Sequence, residues 1–316
     1  MKSTQLVSVS LVLASAWQAA SCRANDAAIE SFRAKYATEG SSSEQWFDNW
    51  RGTVEYEESP RNPSSTKSKK TSTMEFAVSG QLKKLVTHHP AEPRKNSAGR
   101  DEVFILDDKQ AYKLGKKQNS TDYVLDSIIS KDKGKQWFDG GFGRFLGAPC
   151  LLIDRRISKI LAKSGTLLDS VKVIDYKGLS MVQAEFRYGS AGQSLATVLF
   201  DPALGYRVRR SELQIGDMNN VKIVSTVNYR VDESGRVMPT NIEYQDVDGK
   251  NKKLTFRSVS FGAIPPQEFS PMFFGLPDVS ASNQDNTRGY MAWLMVGAVV
   301  CFCGGVGLWL IARRSH

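Results

Sequence analysis

The chain has 316 residues, 41% of them hydrophobic and 24% charged, ample apolar material for a folded domain. Its formal charge is +9. A basic chain would suit nucleic acid, but the export and anchoring signals read below exclude that class of partner.

The amino end reads as a secretory signal. Lys2 supplies a positive n-region, and Leu6 to Ala20 is an apolar core of about 15 residues, too short for a comfortable membrane span. Cleavage after Ala24 makes 1–24 the signal peptide. Ala19-Ala20-Ser21-Cys22 also resembles a bacterial lipobox, with Ala19 where such boxes prefer Leu, so lipidation of Cys22 stands as the alternative processing.

Residues 25–279 then read as one exported domain. A short helix comes first, capped by Asn25 or Asp26, with Ile29, Phe32 and Tyr36 on one face and Gly40 as its stop. A strand follows over Gly52 to Glu57. The turn-rich "SPRNPSSTKSKKTS" connects it to strands in "TMEFAVSG" and "QLKKLVTH". A second loop precedes "VFILDD" and "QAYKLG", and these spacings suit an antiparallel meander. Thr121 to Gly165 reads as an insertion between two groups of strands. In it Leu151, Leu152, Asp154, Ile157, Ile160 and Leu161 suggest one apolar helix face, with Pro149 in the first turn and Gly165 at the end.

The remainder is the clearest. "VKVID", "SMVQAEFRY", "QSLATVLFD", "GYRVRRSELQI", "VKIVSTVNYRV", "VMPTNIEYQDV" and "KLTFRSVSF" follow one another with only short turns between. Val182, Ala184 and Phe186 alternate with Gln183, Glu185 and Arg187, as on a half-buried strand. No helix-length segment intervenes, which excludes a parallel βαβ arrangement. In "LFDPALGYRVRRSE", Pro202 and Gly205 supply a turn, and the change of parity before Leu213 predicts a bulge near Arg209–Ser211. The arginines there are expected on a solvated face. The fold class expected is α+β: one large, curved antiparallel sheet with a few helices on its concave face.

After a linker at 280–289, Tyr290 to Ala312 carries no charge and spans about 34 Å as a helix, enough to cross the hydrocarbon layer. Tyr290, Trp293 and Trp309 sit near its ends as interfacial aromatics do, and Arg313 and Arg314 place the tail 313–316 in the cytoplasm by the positive-inside rule. The bulk of the chain is then extracytoplasmic, on the periplasmic side. Gly297, Cys301 and Gly305 are four apart, a small-residue face that could pair two copies or arise by chance. Of the four cysteines only Cys150 lies in the exported region, which excludes an internal disulfide there.

"FDPALGYRVRRSE", "GRVMPTNIEYQDVDGK" and "FRSVSFGAIPPQEFSPMFFGLPDV" resemble the strand–turn–strand units of the LolA/LolB-like half-barrel superfamily, over roughly residues 26–279. That superfamily includes lipoprotein carriers and the sensory domain of RseB-type regulators. The resemblance implies a half-barrel fold, with acyl chains, lipoproteins or an envelope protein as partners. A lipoprotein carrier is soluble and shuttles, whereas this chain has an anchor of its own.

Motifs for catalysis, cofactors or metals are not found: there is no HExxH, CxxC or GxSxG. His88 and His89 are adjacent on a strand end and point to opposite faces, a poor chelate pair. Asp107-Asp108 reads as a turn, and Cys150 as a small buried hydrophobe. From Arg61 to Lys163 there are 21 basic against 11 acidic residues, in clusters such as 66–70, 113–117 and 131–135. This excess suits either attraction to anionic lipid or solvated loops and edges. Trp137, Phe138, Phe142, Phe145 and Leu146 crowd the glycine-rich "DGGFGRFLG" region. They suit a hinged flap over an apolar cavity, or a loop folded on the core. "QWFD" at 45–48 recurs at 136–139 with unmatched flanks and reads as coincidence. Two function classes follow: a tethered module binding an acyl chain, or an interaction and sensor module of the same fold. An open apolar concave face would favour the first, and a face plugged by Trp and Phe the second.

Overall fold

The computed structural model describes residues 25–59, 70–91, 99–117, 120–152, 155–162, 168–188, 194–215, 221–245 and 249–277. The signal, Cys22, the linker, the expected membrane helix with Tyr290, Trp293, Trp309, Arg313 and Arg314, and the Gly297/Cys301/Gly305 face all lie outside them. No helix among the described residues is long and apolar enough to cross a membrane.

A single antiparallel sheet of 13 strands organises the domain. Its first group is β1 (Asn49–Ser59), β2 (Lys70–Ser79), β3 (Leu82–His89), β4 (Arg100–Leu106), β5 (Gln110–Lys117) and β6 (Val124–Ser130). The insertion carries helices α2 (Lys131–Gly140), α3 (Phe142–Leu146) and α4 (Ile157–Leu161), with a two-stranded ladder of β7 (Leu151–Leu152) and β8 (Arg155–Arg156) before α4. The second group is β9 (Leu168–Tyr176), β10 (Leu179–Tyr188), β11 (Ser194–Asp201), β12 (Arg207–Ile215), β13 (Val221–Val231), β14 (Val237–Gln245) and β15 (Asn251–Phe261). Each group is a meander, and β1 pairs with β15 to join them. β6 and β9 are therefore the two edges, and the insertion crosses between them.

Alternation assigns the faces. Phe76, Leu85, Phe104 and Leu106 point inward against the insertion, while their neighbours Ala77, Val86, Val103 and Ile105 point outward. The inner face is covered in two parts. Phe32 and Tyr36 of the amino-terminal helix lie on Phe200 with ring centroids 5.2 and 5.5 Å apart. Phe138, Phe142, Phe145 and Leu146 fill the other part, against Phe76, Phe104 and Tyr244. The outer face also has a cover, which the sequence reading did not anticipate. After β15 the chain lays Ile264 and Phe269 on Val86, Ile105 and Tyr112. Glu268 there accepts from Lys84 at 2.9 Å and Arg51 at 3.0 Å.

Several local expectations are corrected. The first helix, α1, already includes Asn25, whose amide donates to Asp169 O at 2.8 Å, and it does not stop at Gly40. It passes through a π turn at Tyr36–Gly40 and runs helically to residue 48. Gly40 serves close approach instead: a Cβ there would lie 2.6 Å from the Tyr36 ring. Residues 41–48 are thus helical, and the first strand, expected over Gly52 to Glu57, begins at Asn49. The apolar run beginning at Leu151 is not one helix, because Leu151 and Leu152 pair as a strand with Arg155 and Arg156 and only Ile157–Leu161 is helical. The bulge expected near Arg209–Ser211 is present: Leu199 faces Arg210 and Phe200 faces Val208, leaving Arg209 unpaired in the ladder.

Gly52 sits on the β1–β15 seam, where a Cβ would meet Ser258 O at 2.2 Å. Backbone cannot yield as a flexible side chain does, so Gly52→Ala is expected to destabilise by about 1–3 kcal/mol. A thermal melt unchanged by this substitution would contradict the close seam.

Candidate functional site

The insertion does not fill the inner face completely. A cavity of about 550 Å³ remains at one end, within the size range of small-molecule pockets. Four separate segments build it: Phe47, Asp48 and Trp50 where α1 enters β1; Val78 to Lys83 around the β2–β3 turn; Lys135 to Leu146 of α2 and α3; and Cys150 to Ile160 around β7, β8 and α4. Trp50 anchors the apolar floor. It is buried, and it packs edge-on against Phe47 and Phe76 at 4.9 and 4.5 Å between centroids.

The cavity is lined by five cations, Lys83, Lys135, Arg155, Arg156 and Lys159, against two carboxylates, Asp48 and Asp139. Asp48 pairs with Arg156 through two nitrogens, and Asp139 pairs with Lys83. The pairing with Asp48 raises the Arg156 pKa above its ordinary value. Lys135, Arg155 and Lys159 are exposed, and no acidic partner reaches them among the described residues.

A buried polar cluster supports this end of the sheet. Glu44 is 2% exposed and accepts hydrogen bonds from Tyr36 Oη at 2.8 Å, from Ser158 N at 2.9 Å and from Ser158 Oγ. It thereby ties α1 to α4. Arg207, expected on a solvated face, is instead buried. Its guanidinium lies over the rings of Trp46 and Phe47 at 4.9 and 5.7 Å, and its Nε and Nη1 have no hydrogen-bond partner among the described residues. Arg209, left unpaired by the bulge, is also half-buried: it lies over the Tyr229 ring at 5.2 Å and its Nε donates to the buried Asp201 Oδ2 at 2.9 Å. Cys150 lines the cavity wall as a free, buried thiol. Burial, and then the nearby Glu44, push its pKa up to about 12, so it is not a nucleophile at neutral pH.

The sequence-derived candidates divide. The segment expected as an aromatic loop is helical in α2 and α3. Phe138 and Leu146 line the cavity, whereas Phe142 and Phe145 are buried in the core, with Phe145 edge-on to Tyr244 at 4.7 Å. Trp137 is 45% exposed and rests on Phe104. The glycines expected as hinges have other roles in part: a Cβ at Gly143 would lie 2.5 Å from the Phe138 ring, and one at Gly147 2.2 Å from Leu151. His88 meets Asp101 at 2.9 Å and Glu75 at 3.5 Å, while His89 meets Glu102 at 3.5 Å. Sequence reading gave the basic excess over 61–163, which holds all five cations, but missed their convergence on one cavity and the two aspartates. One signal was present: the two "QWFD" copies, read as coincidence, each deliver a buried Phe and an ion-paired Asp to this one cavity, as Phe47-Asp48 and Phe138-Asp139.

No family model and no curated protein matches the chain. Among solved structures it is similar to a putative outer membrane lipoprotein-sorting protein domain from Vibrio parahaemolyticus, with 12% identity and a TM-score of 0.42 over 76% of this chain and 98% of that one. It is similar to a LolA superfamily protein from Nitrosomonas europaea, with 10% identity and a TM-score of 0.41 over 75% and 99% of the two chains. A DUF1329 family protein from Desulfovibrio piger matches with 6% identity and a TM-score of 0.41 over 74% and 98%. In plan the domain is a long antiparallel meander with helices across its inner face.

Proposed function

We propose that this chain is an extracytoplasmic binding module, tethered to the cytoplasmic membrane by its carboxyl end, that takes an acyl chain or similar apolar ligand in the inner-face cavity. The cavity carries this reading: about 550 Å³ with a floor of Phe47, Trp50, Phe138 and Leu146 left unfilled in a sheet otherwise packed on that face. An apolar hollow of this size gains favourable burial only when something apolar enters it. Binding without catalysis is the form proposed, since the thiol in the wall is held neutral at neutral pH. Because α2 and α3 form one wall, they are also the segment that would move to admit ligand, as a lid of helices rather than a loop.

A second reading has an observation of its own. Phe138, Phe142, Phe145 and Leu146 plug much of the inner face, as a sensor module without lipid would require. Native mass spectrometry of the protein purified from its membrane decides between the two. The binding reading expects a co-purified lipid that organic extraction removes. Protein arriving without any adduct favours the sensor.

A further inference from the structure

We infer that the cavity selects an amphiphile with an acidic head group: a single apolar chain ending in a carboxylate or phosphate. This deepens the binding proposal and rests on it. The observation is the asymmetry of the lining. Its floor is aromatic and aliphatic, whereas Lys135, Arg155 and Lys159 are exposed cations without acidic partners among the described residues. Arg155 stands on β8, Lys159 on α4 and Lys135 on α2, so three separate elements of the cavity wall supply the charges. The two carboxylates that line the cavity are already engaged, by Arg156 and Lys83, and among the described residues no carboxylate pairs with those three cations.

A neutral head would gain no ionic contact from this arrangement, a zwitterionic head would gain less than a net anion, and a cationic head would be repelled. An anionic head gains charge-assisted hydrogen bonds while its chain reaches the floor. Arg155 offers a planar fork that matches carboxylate or phosphate, and the lysines act as point charges beside it. Exposed pairs are individually worth little, so selection arises from several cations acting on one head group.

The test uses the full chain in phosphatidylcholine nanodiscs. Three photoreactive probes share one diazirine-bearing chain and differ only in the head: carboxylic acid, lysophosphatidic acid and primary alcohol. Labelling of peptides holding Trp50, Phe138 and Leu146 is read by mass spectrometry. Either acidic probe should label about tenfold more efficiently than the alcohol, equivalent to about 1.4 kcal/mol. The two acidic heads distinguish a free fatty acid from a phospholipid source. Arg155→Glu with Lys159→Glu should abolish this preference, and a circular dichroism spectrum and thermal melt matching those of the unsubstituted protein show that the variant is folded. Equal labelling by all three probes overturns head-group selection and leaves the acyl-chain reading standing. Absence of labelling by any probe overturns both.

Discussion

Replacing Glu44 with alanine is expected to lower the stability of the domain by about 3 kcal/mol or more, since it strands buried donors that cost about 1–3 kcal/mol each when unpaired. The donors are Tyr36 Oη and Ser158 N, which converge on one carboxyl group that is 2% exposed. For a domain of this size the melting temperature should fall by about 6–12 °C. Glu44→Gln keeps the volume and one acceptor, so its loss should be smaller. Tyr36→Phe removes a single donor and leaves the carboxyl group bonded to Ser158, so it should cost about 1 kcal/mol. Guanidinium unfolding of the three variants measures the series. A loss below that of Tyr36→Phe in the alanine variant would show that Glu44 does not hold α1 to α4. The consequence reaches the cavity, because Ser158 stands between Arg156 and Lys159. Loosening it should blunt any preference for acidic heads before the sheet itself melts.

That role for Glu44 was invisible in the sequence, and the reason is physical. Hydrophobic alternation is a local signal, so β10 to β15 could be read from runs such as Val182, Ala184 and Phe186. The bulge at Arg209 was legible for the same reason, as a change of parity within one strand. Gly40 misled because a glycine after an apolar helix face signals a stop, and only the Tyr36 ring packed on it reveals close approach. Leu151 and Leu152 misled because a short apolar run fits helix and strand alike. The cavity was least legible. Its cations come from β3, α2, β8 and α4, scattered through the basic stretch 61–163, and nothing in that stretch marks these five as neighbours. Arg207 shows the same limit: charge alone placed it in solvent, whereas the aromatic faces of Trp46 and Phe47 hold it inside.

Alkali should unfold the domain abruptly, as the pH climbs past the ordinary pKa values of its buried thiol and phenols. Tyr36 is buried, and burial, then the nearby Glu44, raise its pKa well above its ordinary value. Tyr229 is partly exposed as a residue, but its hydroxyl lies inside and donates to Val208 O at 2.8 Å; burial raises its pKa as well. Cys150 moves from an ordinary value near 9.0 to about 12. All three groups are acids whose folded-state pKa is raised, so the folded state keeps protons that the unfolded chain releases. Their stabilisation is complete below the ordinary values and is lost as pH rises, first for Cys150 and then for the two tyrosines. Each unit of pH between a group's ordinary and raised pKa removes about 1.4 kcal/mol for that group, so the losses of the three add, against a whole-domain stability of about 5–15 kcal/mol. Far-ultraviolet circular dichroism and tyrosinate absorbance should therefore change together in one steep step. Cys150→Ala separates titration from packing. It should weaken the domain by about 1 kcal/mol at neutral pH through lost contacts, yet move the alkaline midpoint upward. Tyrosinate appearing gradually around its ordinary pKa, with the β signal intact, would show that these phenols are not buried.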